Sequence, residues 1–347
     1  MTIDCHTHLY PRFYLELLRA RDVAPRVTGE PPHERLQFFA GEEQTGGRPI
    51  DAAYWSVEAK LAFMRDAGIE QSVVSLGNPW LDPVDPADAP EAARRINAEL
   101  AALAPATGNR LVGLGVLPQH DLDAAVATAQ AIAATPGLHG VANGVRVCGL
   151  LLDDSALDPL WRVLERERLP IVVHPHYGVP DPALVGQGPT LPLAIGFPSE
   201  TTIGVGRLVL GGVLQRFPRL TVVAVHGGGT LPYLAGRLDA IWRADPAAQK
   251  RLPVPPSEEL RKLALDALVY APGPLAAAAE LVGPERLMLG TDHPFEIADP
   301  AGNLAAIDRV FAGEAAASVR GGAAAALFGL PAVEVGAGRG GNERAAR

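Results

Sequence analysis

His6 and His8 stand two positions apart in the stretch Ile3-Asp4-Cys5-His6-Thr7-His8. On an extended segment, side chains at i and i+2 leave the same face, so the two imidazoles can grip one ion. Neutral imidazole suits Zn, Fe, Co or Mn according to geometry and supply. Other ligand-type side chains end short apolar runs: His174 after Ile171-Val172-Val173, His226 after Thr221-Val222-Val223-Ala224-Val225, and Asp292 after Leu287-Met288-Leu289-Gly290-Thr291. Any one of these histidines could be surface decoration or a satisfied core residue. Taken together they point to a catalytic divalent metal.

Short β-branched runs alternate with Ala/Leu/Arg-rich segments of helical period. The strands are expected at 2–6, 71–76, 110–117, 139–147, 170–174, 220–226, 266–270 and 286–292. The helices are expected at 57–66, 89–104, 122–134, 155–167, 201–217, 231–243, 274–282 and 302–311. Eight strand-helix pairs predict a (β/α)8 TIM barrel of α/β class and metal-dependent hydrolase type, with a doubly wound open sheet as the rival. In a barrel the active site lies at the carboxyl ends of the strands, where the histidines and Asp292 fall.

One barrel domain over 1–330 is expected, ending in a C-terminal helical extension. Residues 11–56 are read as an irregular insertion near the barrel mouth, 177–198 as a second loop, and 331–347 as a disordered tail. The tail holds Gly336-Ala337-Gly338-Arg339-Gly340-Gly341, a literal GxGxxG with too few residues after it to build a dinucleotide-binding unit.

The chain has 347 residues, is 48% hydrophobic and carries a formal net charge of -9. A large core can be buried. The lack of a sustained basic patch argues against a nucleic-acid binder or a protein held on anionic membrane. No apolar run reaches the length of a membrane span, and no secretory signal is read at the amino end. Cys5 and Cys148 are the two cysteines, too few for a disulfide framework. A soluble, cytoplasmic protein is the expectation. Lysine occurs only at 60, 250 and 262, which disfavours a Schiff-base lysine or a P-loop, and no GxSxG serine elbow is present. Gly227-Gly228-Gly229 is read as a tight turn with close backbone approach rather than a phosphate cradle.

Four motifs, Asp4-x-His6-x-His8, His174-Pro175, His226-Gly227-Gly228-Gly229 and Gly290-Thr291-Asp292 before Pro294-Phe295, resemble the amidohydrolase superfamily. Further stretches narrow the resemblance to its amino-carboxymuconate-semialdehyde decarboxylase-like branch: Gly196–Thr202, Gly211-Gly212-Val213 with Phe217-Pro218, Asp266-Ala267-Leu268-Val269, and Arg110–Pro118. The resemblance covers nearly the whole chain. It implies one divalent metal ion per subunit, held by His6, His8, His174 and Asp292, with Zn2+ the default and Mn2+ or Fe2+ the alternatives. It also implies that His226 is the acid/base residue. Binuclear members bridge their metals with a carboxylated lysine on strand four, and 139–147 contains none. Three neutral imidazoles and one carboxylate leave a coordination position open, as a catalytic site needs.

Guanidinium matches carboxylate bidentately, so arginines are the expected substrate clamps. By resemblance Arg237 reaches into a neighbouring subunit's site, implying a homodimer, and Arg48 lies near a substrate-binding arginine. Arg146 is a further candidate without family support. His176, His293 and Leu193 depart from the family pattern and are expected to line the substrate side. The resulting expectation is a nonoxidative decarboxylase of a small unsaturated or aromatic carboxylic acid, with His226 shuttling the proton. The rival is a hydrolase or hydratase acting on an amide, ester, lactone or alkene with the same metal. A third reading, a non-catalytic ligand or metal sensor, leaves His226 unexplained.

Overall fold

The computed structural model describes residues 1–38, 46–176, 182–184, 186, 188 and 190–334. Eight parallel strands form one sheet in sequential order: β1 (Ile3–His8), β2 (Gln71–Ser75), β3 (Leu111–Gly115), β4 (Leu138–Asn143), β5 (Ile171–Val173), β6 (Val222–Ala224), β7 (Ala264–Asp266) and β8 (Leu287–Met288). The sheet curls on itself. Beyond β8, Cys5 N–H donates to Leu289 O (2.8 Å), Thr291 N–H to His6 O (3.1 Å) and His8 N–H to His293 O (2.8 Å). First and last strands thus meet, and the barrel alternative prevails over the open sheet. Nearly every strand residue is buried, as strands covered on both faces must be, which explains their continuous apolar runs.

Eight principal helices follow the strands: α1 (Val57–Asp66), α2 (Ala89–Ala106), α3 (Leu122–Ala133), α4 (Asp158–Arg166), α5 (Phe197–Leu210), α6 (Leu231–Ala244), α7 (Pro272–Val282) and α8 (Pro300–Val310). Side-chain caps start several of them. Ser56 Oγ accepts from Ala59 N–H at α1, and Asp121 Oδ1 accepts from Asp123 and Ala124 N–H at α3. The C-terminal extension ends in the helix Ala323–Phe328. Its Ala323, Ala324 and Phe328 pack with Ile3, Val112, Val172 and Met288. Phe328 O accepts from the ring of His139 at the start of β4 (3.0 Å), so this helix closes the amino end of the barrel.

The structure corrects several expected elements. Residues 11–56, expected to be irregular, are partly regular among the described residues. They contain the helix Arg12–Arg19 and an antiparallel sheet of Arg26–Thr28, Arg35–Gln37 and Arg48–Pro49. These strands are only two or three residues long, too short for an alternating pattern to mark them. The fourth strand stops at Asn143, and Arg146–Val147 instead pairs back on Leu150–Leu151. The seventh strand lies at Ala264–Asp266, ahead of the expected 266–270, because the apolar Leu268 and Val269 line a cavity rather than continue the sheet. The expected loop at 177–198 is helical from Thr190, running into α5. The expected helix at 201–217 is broken at Gly211-Gly212, where Gly212 has φ 69°. The GxGxxG run, residues 177–181 and the tail from 335 lie outside the described residues.

Candidate active site

His6 and His8 at the end of β1, His174 just after β5 and Asp292 after β8 come together as expected. Their ligand atoms all lie within 4.8 Å of one another, and all four residues are buried. The ring centroids of His6, His8 and His174 stand 5.1–5.3 Å apart with nearly perpendicular planes. Each ring is held from behind. His6 Nδ1–H donates to Asp266 Oδ2 (2.6 Å), and His174 Nδ1–H donates to the Pro175 carbonyl (2.7 Å). Ser75 Oγ lies 2.9 Å from His8 Nδ1. These partners leave the Nε2 lone pairs of His6 and His174 for a ligand.

The electrostatics agree. Burial, with the fields of His6, His226 and His8, holds His174 well below the usual histidine range. Burial also pulls His8 down to about 4. Burial opposes charge on His6, but its hydrogen bond to Asp266 and the fields of Asp292, Asp266 and Asp4 outweigh this and raise it. Burial likewise opposes charge on Asp292, yet its contacts with His226 and His8 and the field of His6 hold it well below the usual carboxylate range. A buried carboxylate facing several imidazoles is what a cation would complete. His6 Nε2 is fully buried without a hydrogen-bond partner, a costly arrangement unless something binds it. The residues fit a divalent ion.

His226 follows β6. Its Nε2 lies 3.9 Å from Asp292 Oδ2, and its ring stands 5.2 Å from that of His6 and 5.3 Å from that of His174. The backbone here is unusual: His226, Gly227, Gly228 and Gly229 all have positive φ, at 54°, 62°, 73° and 64°. A Cβ on Gly229 would sit 2.3 Å from Pro198 O, and one on Gly227 would sit 2.4 Å from Val269 Cγ1. The glycines therefore serve a tight turn, as expected. Asp266 holds that turn. Its Oδ2 accepts from His226 N–H (2.9 Å) and its Oδ1 from Gly227 N–H (2.7 Å), so one carboxylate orients both His6 and the backbone of His226. Burial opposes its charge, but these bonds and the neighbouring imidazoles keep it lowered.

The cluster opens on a cavity of about 840 Å3, within the size of a small-molecule site. His174, His226 and Asp292 face it, and most of its wall is apolar, with Leu36, Phe38, Phe197, Leu268 and Phe295 among the contributors. Arg48 also lines it, with its guanidinium 4.8 Å from the Phe295 ring centroid and Nε 3.6 Å from Glu296 Oε2. Leu36, Phe38 and Arg48 belong to the 11–56 insertion, which therefore builds part of the cavity wall. Leu193 lines it too.

The other expected substrate contacts lie elsewhere. His293 is buried beside the cluster, stacked on Phe63 at 3.8 Å with Nδ1 2.5 Å from Lys60 Nζ. Because Asp292 has φ 60°, the turn carries the next side chain away from the cavity. His176 is buried against Trp80, 4.9 Å between centroids, with Nε2 3.6 Å from Asp82 Oδ2. Arg146 and Arg237 are exposed and outside the cavity of their own chain. Sequence reasoning missed the role of Asp266 and the contact of Lys60 with His293. Asp266 ends the observed seventh strand but opens the expected one at 266–270, so the strand-end rule pointed to Tyr270 instead.

Comparison with known proteins agrees with this geometry. The amidohydrolase family model matches residues 3–330. IDCase of Metarhizium anisopliae, solved in apo form, is 33% identical and superposes with a TM-score of 0.89 over 95% of this chain and 97% of that one. The 2-amino-3-carboxymuconate-6-semialdehyde decarboxylase of Dictyostelium discoideum is 27% identical over 308 residues, covering 86% of this chain and 83% of that protein. A dihydroxybenzoic acid decarboxylase from Polaromonas, solved with bound manganese and an inhibitor, is 21% identical. It shares the fold at a TM-score of 0.77 over 95% and 97% of the two chains. With the barrel, the metal-ligand cluster and a family match spanning nearly its whole length, this chain belongs to the amidohydrolase family, in the branch occupied by its decarboxylase relatives.

Proposed function

We propose that the protein is a metal-dependent nonoxidative decarboxylase of a small aromatic or unsaturated carboxylic acid. The observation that carries this reading is the junction of the His6/His8/His174/Asp292 cluster and His226 with an apolar cavity bearing Arg48. The decarboxylase relatives support it. Three imidazoles and a carboxylate suit zinc, and metal analysis distinguishes it from manganese or iron. A bound ion would supply Lewis-acid polarisation of a substrate oxygen.

The chain's own groups do the rest. Arg48 holds a substrate carboxylate or its ring oxygen, the apolar wall packs the flat hydrocarbon face, and its side chains exclude water from the reacting carbon. As the carbon–carboxylate bond breaks, carbon dioxide leaves and the electron pair remains on the carbon. His226 Nε2–H donates a proton there, and His226 is then reprotonated from solvent. No redox cofactor enters this balance.

The test is carbon dioxide release from a panel of hydroxybenzoates and muconate semialdehydes by protein of known metal content. Arg48→Met is expected to raise KM roughly 10-fold or more, equivalent to about 1.4 kcal/mol or more of lost binding. Turnover of lactones or amides without carbon dioxide release would overturn the decarboxylase in favour of a hydrolase.

The protein also acts as a homodimer in this reading. On α6, Tyr233 and Ile241 flank Arg237 at four residues on either side and are 87% and 55% exposed, and α5 exposes Ile203 and Leu210. A second copy covering these side chains would remove apolar surface from water and desolvate Arg237. Sedimentation is expected to give about twice the chain mass of 36.4 kDa, and a monomer at micromolar concentration would overturn the dimer. The free thiols Cys5 and Cys148 accord with the proposed cytoplasmic location. No helix among the described residues is long and apolar enough to cross a membrane.

A further inference from the structure

Lys60 is wholly buried on α1, with 0% exposure, although no mechanistic step above uses it. An ammonium in such a place must spend its three protons well or be strongly destabilising. Here it has three acceptors: Thr7 Oγ1 at 2.7 Å, His293 Nδ1 at 2.5 Å and His293 O at 3.2 Å. Thr7 Oγ1 in turn donates to His293 O (3.0 Å). Phe63, on the same helix, stacks on the His293 ring at 3.8 Å.

The position of these contacts is what matters. Thr7 lies between the ligands His6 and His8, and His293 directly follows the ligand Asp292. On the other side of Asp292, Thr291 Oγ1 donates to Asp4 Oδ2 (2.6 Å) and Thr291 N–H to Asp4 Oδ1 (3.1 Å). Asp292, with φ 60°, is therefore pinned at both neighbours, by Asp4 before it and Lys60 after it. A residue held in that sparsely populated backbone region needs its surroundings to fix it.

We propose that Lys60 is a positioning residue for the metal centre, clamping the Asp292 turn to the His6-Thr7-His8 strand so that three of the four ligands share one rigid frame. The inference rests on the metal-centre reading above and deepens it.

The experiment uses the purified full chain, stripped of metal and titrated with Co2+ against a competing chelator, with the visible absorption of the Co2+ protein recorded alongside. Lys60→Met, which keeps most of the side-chain volume, is expected to bind Co2+ about 10–100-fold more weakly, the range for losing an outer-shell partner. Its spectrum is expected to differ from that of the unaltered protein, because the absorption follows coordination geometry. Thr7→Val, which keeps the lysine and removes one acceptor, is expected to weaken binding severalfold and serves if Lys60→Met does not fold. If either folded variant binds Co2+ with unaltered affinity and spectrum, the clamp is overturned, even where the metal-free variant melts earlier. That last pattern would mark a lysine that only stabilises the barrel. Failure of the unaltered protein to take up Co2+ would overturn the metal centre and the clamp together.

Discussion

Replacing His226 with asparagine is expected to lower turnover about 10²–10⁴-fold while metal content stays that of the unaltered protein. The two readouts separate because of where the ring sits. His226 faces the cavity and reaches Asp292 Oδ2 only at 3.9 Å, whereas the ligand atoms of His6, His8, His174 and Asp292 group without it. Asparagine keeps a polar side chain of similar reach but cannot carry a proton at neutral pH. The backbone N–H bonds to Asp266 survive, so the turn and the His6 orientation persist. The loss corresponds to about 3–5 kcal/mol of transition-state stabilisation. Steady-state rates and metal quantification on the same sample decide the matter. Turnover within threefold of the unaltered protein would remove His226 from the chemistry, and parallel loss of metal would make it a ligand instead.

His174→Ala is expected to abolish both metal retention and turnover. His174 alone brings β5 into the cluster, and its Nδ1–H is committed to the Pro175 carbonyl, so its Nε2 has no evident use except as a ligand. Burial and the surrounding imidazoles hold it neutral, which is the ligating state. The thermal signature is equally direct. A ligand that binds only the folded state stabilises it by about 2.7 kcal/mol at a hundredfold excess over Kd. Added Zn2+ or Mn2+ should thus raise the melting temperature of the unaltered chain and leave that of His174→Ala unmoved. An equal upward shift in both proteins would show that the ion binds elsewhere.

Much of this site was legible in the sequence because its geometry is a consequence of regular strands. Two histidines at i and i+2 must share a face, and strand ends in a parallel barrel must share a rim. Hence His6, His8, His174, His226 and Asp292 could be grouped without coordinates. The substrate side was less legible because it depends on how the chain bends after each strand. His293 follows Asp292 in sequence, but the positive φ of Asp292 sends it behind the cluster toward Lys60. Arg48 reaches the cavity through the pairing of Leu36 with Arg48 in a small antiparallel sheet, a long-range contact invisible to local pattern. Leu268 and Val269 read as strand because a cavity wall and a buried sheet call for the same side chains. Lys60 gave only its rarity as a signal, since a lysine on a helix ordinarily marks the solvent face.

The seam where β1 meets the segment after β8 also sets an order of events in time. His8 and Asp292 touch at 3.1 Å across 284 positions of chain. At synthesis rates of roughly 5–20 residues per second, the first histidines wait on the order of 15–60 s for their carboxylate partner. Joining ends that far apart costs about 5 kcal/mol in chain entropy, a loss the eight-stranded ring must offset as it closes. Until then the emerging chain presents a two-histidine hook without its anionic partner. High-affinity ion uptake is thus a property of the finished ring, and a ribosome-bound chain would have to be loaded last.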